Sequence, residues 1–314
     1  MELRQLRYLV TVVEEGGFTR AAARLHLAQS GLSAQIRQLE RELGQPLLDR
    51  SHRSVTLTET GRAVLPYARA ALAAADAVRQ TADAYSGLLR GRVTLGTVSG
   101  ATGHAFDIAS FLADFCDAHP ALEIALTEDT SERMQAALLA GELDVALLGP
   151  TDEGPPPGLS LHTVVDSPLG VAAAPEDPLL RAAPGRTTVE LAALRDRALI
   201  CLPRGTGVRA ALERACAQEG FRPRVSFEAA SPHVLAQLAA RGLGVAVLPA
   251  AEGGDPVADG PLRTLTIVRP GIRARVALAW RADGPSSPAG RVLLDRLREA
   301  LPSTGSSPGT GGPA

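Results

Sequence analysis

The sequence predicts an α+β multidomain chain: an N-terminal winged helix-turn-helix, a long linker helix and a two-lobed α/β domain. Three observations predict it. Residues 21–44, AAARLHLAQSGLSAQIRQLERELG, hold two short helices joined by a tight turn. Residues 59–85 carry small apolar side chains at heptad spacing. From residue 92 onward strand-like and helix-like stretches alternate, the pattern of parallel β-α-β units. A chain of 314 residues, 45% hydrophobic and 21% charged, has room for two or three ordinary globular domains.

Leu3, Leu6, Val10 and Val13 recur at three- and four-residue spacing and predict an amphipathic helix ended by Gly16-Gly17. Thr19 stands where it can cap a second helix, in which Ala21, Ala22, Ala23 and Leu25 allow close packing. A third helix is expected from about Ser30 to Leu43, stopping at Gly44, with Leu32, Ile36, Leu39 and Leu43 as its buried stripe. That leaves Gln29, Ser30, Ser33, Gln35 and Arg37 for the outer face. RSHRSVTLTETG then reads as a β-wing, with Arg50 and Arg53 flanking its turn and Val55 and Leu57 alternating with threonines. The second helix of such a pair fits the major groove, where Gln reads adenine and Arg reads guanine through paired hydrogen bonds. Serines and wing arginines suit phosphates. An amphipathic helix pair with a merely solvated face shows the same pattern.

In the linker helix, expected from about Glu59 to Tyr85, Val64, Ala68, Ala71, Ala75, Val78, Ala82 and Tyr85 step alternately by four and three. This strict period predicts a coiled-coil seam between two copies, against the alternative of a helix packed on its own domain. Pro66 removes one backbone hydrogen bond near its start.

Strands are expected at 92–98, 122–128 and 144–148, with helices near 103–118 and 131–140 between them. After the turn-rich TDEGPPPG the scheme repeats: ALICL, a helix near 207–219, RVSFEAA, a helix near 232–241, then VAVLP. Leu138, Ala140, Leu143, Val145, Ala146 and Leu148 recur as Leu238, Ala240, Leu243, Val245, Ala246 and Leu248. Two similar α/β subdomains with a cleft between them are expected. RTLTIV (263–268), ARVALAW (274–280) and a last helix near 287–301 complete the chain. The expected division is 1–58, 59–90 and 91–301. The last part has one lobe at about 91–163 and 268–301 and the other at about 164–267, and residues 302–314 form a disordered tail.

Composition removes several chemistries. All 32 basic residues are arginine, so a Walker A lysine and any Schiff-base lysine are excluded. HExxH does not occur, and the one GxSxG, at 305–309, lies in the Gly- and Ser-rich tail and not between a strand and a helix. Cys116, Cys201 and Cys216 are odd in number and widely spaced, against a disulfide framework or a metal site; they read as inert buried thiols, with a redox pair of Cys201 and Cys216 as the alternative. Residues 1–90 carry a balance of +3 and residues 91–314 one of −5, a mildly basic head on an acidic body. Glu14 and Glu15 follow the first apolar stretch where a signal peptide would have its cleavage site, and no apolar run approaches membrane-helix length. The expected location is the cytoplasm, with no membrane partner.

Gly205-Thr206-Gly207-Val208-Arg209-Ala210 fits GxGxxA between a strand and a helix, with Glu228 downstream as the acid of a dinucleotide fingerprint. Pro203 and Arg204 interrupt the join from strand to glycine and weaken that nicotinamide reading. A free-standing solute-binding protein fits worse, since it needs export and no heptad helix.

Taken together, LRQLRYLVTVVEEGGFTRAAARLHLAQSGLSAQIRQLERELGQPLLDR, RSVTLTETGRAVLPYA, GRVTLGTV and AGELDVALL give the chain, from residue 1 to about 300, a dense ordered match. It resembles the LysR-type transcriptional regulators. The resemblance implies a linker-helix homodimer, usually a homotetramer, and a periplasmic-binding-protein-like co-inducer domain. It implies a non-enzymatic protein without cofactor whose partners are a double-stranded DNA operator, a small-molecule effector and RNA polymerase. It points to Gln29, Ser30, Ser33 and Arg37 with Arg50 and Arg53 for DNA, and the outer face of the helix adds Gln35. For the effector it points to Ser99, Gly100, Thr102, Thr127, Thr130, Arg204, Gly205, Thr206, Gly207 and Ser231. Those positions sit where strands end and helices begin, and helix N-termini favour anions, so a small carboxylate is expected. The chain departs from the family in having Ala28 and Ala34 where a serine and a basic residue are usual.

Overall fold

The computed structural model describes residues 1–49, 55–85, 89–98, 106–151, 154–181, 185–250 and 262–301. Helices α1 (Leu3–Glu14), α2 (Phe18–Arg24) and α3 (Gln29–Leu43) pack on one another, and strands β1 (Leu48–Asp49) and β2 (Thr56–Leu57) pair antiparallel as the base of the wing. Leu9, Val12, Leu32, Ile36 and Leu39 are fully buried in this small core. Gly44 ends α3 with a left-handed φ of 71°, as its position in the sequence predicts. Two expectations shift. Gly17, not Thr19, is the N-cap of α2. Leu43, at the last turn of α3 where the core runs out, is exposed.

Helix α4 runs Glu59–Tyr85. Thr58 caps its entry, accepting a bond from Gly61 N–H at 2.9 Å and donating to the Pro46 carbonyl at 2.7 Å. The expected seam is partly used inside the protomer. Leu65 and Ala68 are buried in the N-terminal core, with Val64, Ala71 and Leu72 packed against it. The reason is geometric: α1 lies along the first turns of α4 and takes that face. Farther on, Tyr67, Ala74 and Val78 remain exposed. Arg69 pairs with Glu142 at 2.9 Å, so α4 also touches the α/β part.

That part holds β3 (Gly91–Thr97), α5 (Ile108–Ala118), β4 (Leu122–Glu128), α6 (Ser131–Leu139) and β5 (Val145–Leu148). They are followed by β6 (Leu159–Ala173), α7 (Pro178–Arg181), β7 (Thr188–Glu190), β8 (Leu199–Cys201) and α8 (Gly207–Gln218). Last come β9 (Val225–Glu228), α9 (Pro232–Ala240), β10 (Val245–Pro249), β11 (Arg263–Val268), β12 (Arg273–Arg281) and α10 (Pro288–Ala300). Strands run in the order β4-β3-β5-β12-β6-β10-β8-β9, with β11 and β7 on a branch beside β6. Pairs β3–β4, β3–β5, β8–β9 and β8–β10 are parallel, as the alternating pattern predicts. The quasi-repeat maps onto two equivalent units, α6–β5 and α9–β10.

The long strand β6 has no counterpart among the expected strands. Pro168 marks a change of partner. Residues 159–168 pair with β12, and from Leu169 the strand pairs with β10 and β11. A residue without an N–H fits where one ladder ends and the next begins. Each lobe has its own apolar core, with Leu95, Leu147 and Leu293 buried in the first and Leu169, Leu191 and Val247 in the second. The helix expected from 103 is described only from Ile108, where Asp107 caps it, and the expected disordered tail 302–314 lies outside the described residues. No helix among the described residues is long and apolar enough to cross a membrane.

Candidate nucleic-acid interface and interlobe cleft

Burial of Leu32, Ile36 and Leu39 fixes the rotation of α3. Gln29, Ser30, Ala34, Arg37, Gln38 and Arg41 are consequently exposed and Gln35 is half-buried. Ser33 corrects the sequence reading. It is 7% exposed, because a residue one step past Leu32 turns only ~100° from the stripe and stays at its edge. Its hydroxyl accepts a bond from Arg37 Nη2 at 3.1 Å, so it positions the arginine that faces outward. Glu40 is a structural neighbour, with Oε1 accepting the N–H groups of Leu47 and Leu48 at 2.9 and 3.1 Å and tying the wing base to α3. Arg50 and Arg53, expected at the wing turn, lie outside the described residues.

Ala28, the N-cap of α3, makes no side-chain capping bond, yet its backbone (φ −70°, ψ 135°) is already in the conformation a capping serine adopts. Ala28→Ser is expected to stabilise the N-terminal domain by about 0.5–2 kcal/mol. Urea denaturation followed by helical signal checks this; an unchanged midpoint means that the first-turn N–H groups gain nothing from a hydroxyl.

In the α/β part, the loops before α6 and α8 meet across the two lobes. Glu132 N–H, in the first turn of α6, donates to the Gly205 carbonyl at 3.0 Å. Thr130 caps α6 through a 3.4 Å bond from Arg133 N–H. The Ser131 hydroxyl, fully buried, accepts from Gly149 N–H at 3.1 Å. Gly207 abuts Gly149 so closely that a methyl group on it would lie 2.7–2.8 Å from Gly149 backbone atoms. Thr206 is the N-cap of α8 but turns its hydroxyl to the Pro203 carbonyl at 2.8 Å. Of the expected effector residues, Thr130, Gly205, Thr206 and Gly207 therefore come together. Thr127 is exposed on β4, the edge strand of the first lobe, and Ser231 is the N-cap of α9 without a side-chain capping bond. Arg204 is 80% exposed and 3.5 Å from Glu213. Ser99, Gly100 and Thr102 lie outside the described residues.

Arg209 holds the cleft loop together, a role that the glycine motif around it does not assign. Only 4% exposed, it bonds Glu213 Oε1 and Glu228 Oε1 at 2.8 Å each and the Leu202 carbonyl at 3.3 Å, clamping the loop that carries Gly205 to Gly207. Burial works against its charge, but the two carboxylates outweigh that and raise its pKa. The i,i+4 spacing of Arg209 and Glu213 was a usable signal. Glu228, the acid of the dinucleotide fingerprint, is thus engaged by the chain's own arginine. Nothing of the pyrophosphate-and-ribose arrangement remains for it to serve.

Burial raises the Cys201 thiol to about 12, against the nearby charge of Arg209, and burial raises Cys216 to about 11. Neither supplies thiolate at neutral pH. Cys116 is exposed. Maleimide labelling of the folded chain at pH 7.5 is expected to modify one cysteine, Cys116; rapid labelling of Cys201 or Cys216 would restore the redox pair. Among the described residues no cluster of three or more His, Cys, Asp or Glu could hold a metal ion.

Comparison with known proteins fits this geometry. Residues 3–62 match the family model of bacterial regulatory helix-turn-helix proteins of the lysR family, and residues 86–302 match the LysR substrate binding domain. The regulator ShiR of Corynebacterium glutamicum is 33% identical over 95% of this chain and 97% of its own length. AlsR of Bacillus subtilis is 32% identical over 90% and 91%. Among solved structures, a full-length OxyR variant from Pseudomonas aeruginosa superposes with a TM-score of 0.67 at 26% identity, covering 98% of this chain and 99% of its own. CbnR in complex with its target DNA shares the fold, with a TM-score of 0.61 at 24% identity over 96% and 99%. The chain belongs to the LysR-type transcriptional regulators, with a DNA-binding helix-turn-helix domain and an effector-binding domain.

Proposed function

We propose that this regulator works in the cytoplasm as a homodimer or homotetramer joined through α4, and that a small carboxylate held between its lobes sets the spacing of its recognition helices on an operator and so its action on RNA polymerase. In this reading residues 1–58 form the DNA-binding domain, 59–90 the linker and 91–301 the effector domain. Gln29, Ser30, Gln35 and Arg37 meet the operator with Arg50 and Arg53 of the wing, and Ser33 orients Arg37. The observation that carries the effector reading is the convergence of the α6 and α8 N-termini on one seam, where Glu132 bonds Gly205. Two helix starts facing one gap favour a negatively charged guest. A ligand moves the equilibrium only by binding one lobe arrangement better than the other.

Two measurements test this. Arg37→Ala is expected to cost ~1–3 kcal/mol of specific operator binding while leaving the melting curve in place. Footprinting with unchanged affinity and specificity would remove α3 from the groove. Calorimetry with a panel of small carboxylates, paired with footprinting with and without each, is expected to find one that binds and alters the footprint. Arg204→Ala should weaken that binding several-fold. A footprint indifferent to every carboxylate that binds would end the gating reading.

A further inference from the structure

Along the face of α8 that begins at Gly207 in the seam lies a crevice of about 380 Å3. Its walls come from both lobes: Pro150 after β5, the start of β12, and the face of α8 that runs from Gly207 to Gln218. Three guanidinium groups line it, those of Arg214, Arg273 and Arg275. One carboxylate answers them. Asp166 accepts from Arg273 Nε at 2.8 Å and lies 3.6 Å from Arg275 Nε. Arg273 also bonds the Asp166 carbonyl, and Arg214 donates to the carbonyl of Thr151 across the lobe boundary. Among the described residues the Arg275 guanidinium has only that one ion pair, with its side chain 46% exposed. Each guanidinium offers five N–H donors, so most of the donors here are unspent.

We propose that this crevice is a second ligand site, separate from the cleft between the α6 and α8 N-termini, and that it takes a small anion with two or more negative charges. The proposal goes beyond the carboxylate-gating reading and does not depend on it. Two positive charges in excess leave a monoanion under-matched. Planar forks from two elements, Arg214 on α8 and Arg273 with Arg275 on β12, suit oxygen-rich groups such as phosphates or clustered carboxylates, which accept paired N–H bonds. The volume is within the range of small-molecule pockets. An occupant would touch β12, the Pro150 loop and α8 at once and so hold α8 against the first lobe. Since α8 begins at Gly207 in the seam, the second site would bias the same lobe arrangement as the first.

The test uses full-length protein at fixed ionic strength, titrated calorimetrically with sodium pyrophosphate and, separately, with citrate. At least one probe is expected to bind saturably, one per chain. Arg214→Gln combined with Arg275→Gln should weaken it at least tenfold. Arg37→Ala on the recognition helix and Arg204→Ala at the interlobe cleft should leave it unchanged. Pyrophosphate alone binding identifies a phosphate source, and citrate alone a polycarboxylate. If the double variant melts early, Arg275→Gln by itself, on a half-exposed side chain, is expected to weaken binding several-fold. No saturable binding of either probe overturns the site. So does unaltered affinity in the arginine variants, or a loss that follows Arg37 or Arg204 instead.

Discussion

Val78→Glu is expected to convert the regulator to monomers and to lower its affinity for a two-site operator by about 10²–10⁴-fold, the avidity that joining two binding modules supplies. Within one protomer α4 has already committed part of its surface. Ala68, 2% exposed, belongs to the N-terminal core, and Arg69 is engaged with Glu142. Among the described residues Tyr67, Ala74 and Val78 leave an exposed apolar line, the first 77% and the last 71% exposed. These recur at helical spacing on one side, which is the geometry by which a second copy of the helix is met. A carboxylate from each chain at Val78 places like charges in that seam. The control is Ala68→Glu, which buries a charge in the protomer's own core and is expected to unfold the N-terminal domain. Sedimentation velocity and footprinting separate the two. An unaltered oligomer in Val78→Glu, with normal operator affinity, would show that α4 does not join the copies by this face.

Sequence pattern reached the N-terminal domain nearly residue by residue, because a three-helix core obeys one local rule: apolar residues at three and four. It failed at the edges of that rule. Ser33 is polar and one step from the stripe, so periodicity assigns it outward, but the edge of a buried face is decided by the neighbouring helix. The heptad of α4 is visible as a pattern, but nothing local in the sequence says that Ala68 within it packs into the protomer's own core beside α1. In the α/β part, the β-α-β order was legible from alternation and from the 138–148 and 238–248 repeat. The long β6 was not, because Pro168 at a change of strand partner looks like any strand breaker. The cleft divides the same way. Glycine and hydroxyl residues at helix starts mark the loops, but the interlobe bond from Glu132 to Gly205 joins residues far apart in sequence, and of the Arg209 clamp only the i,i+4 contact with Glu213 has a spacing that shows it.

Gly207→Ala is expected to weaken binding of the gating carboxylate by about 5–150-fold while leaving the N-terminal domain folded. The backbone at Gly207 is not left-handed, so the cost is steric alone. The new methyl would lie 2.7 Å from Gly149 C and 2.8 Å from its Cα and O, closer than carbon atoms approach. No flexible side chain stands there to yield. Either α8 or the end of β5 must withdraw, and the 3.0 Å bond from Glu132 to Gly205, two residues upstream, is strained with them. Overpacking of this kind costs ~1–3 kcal/mol, which is charged to the closed lobe arrangement and relieved when the lobes part. A ligand that selects the closed arrangement inherits that penalty, and 1–3 kcal/mol of coupling is the 5–150-fold expected. The N-terminal core lies in a separate part of the chain and does not feel it. Calorimetry with the gating carboxylate reads the affinity, and small-angle scattering of the ligand-free variant reads the shape, which should be slightly more extended. Unchanged affinity together with an unchanged shape would mean that the Gly149–Gly207 contact is not part of the closure.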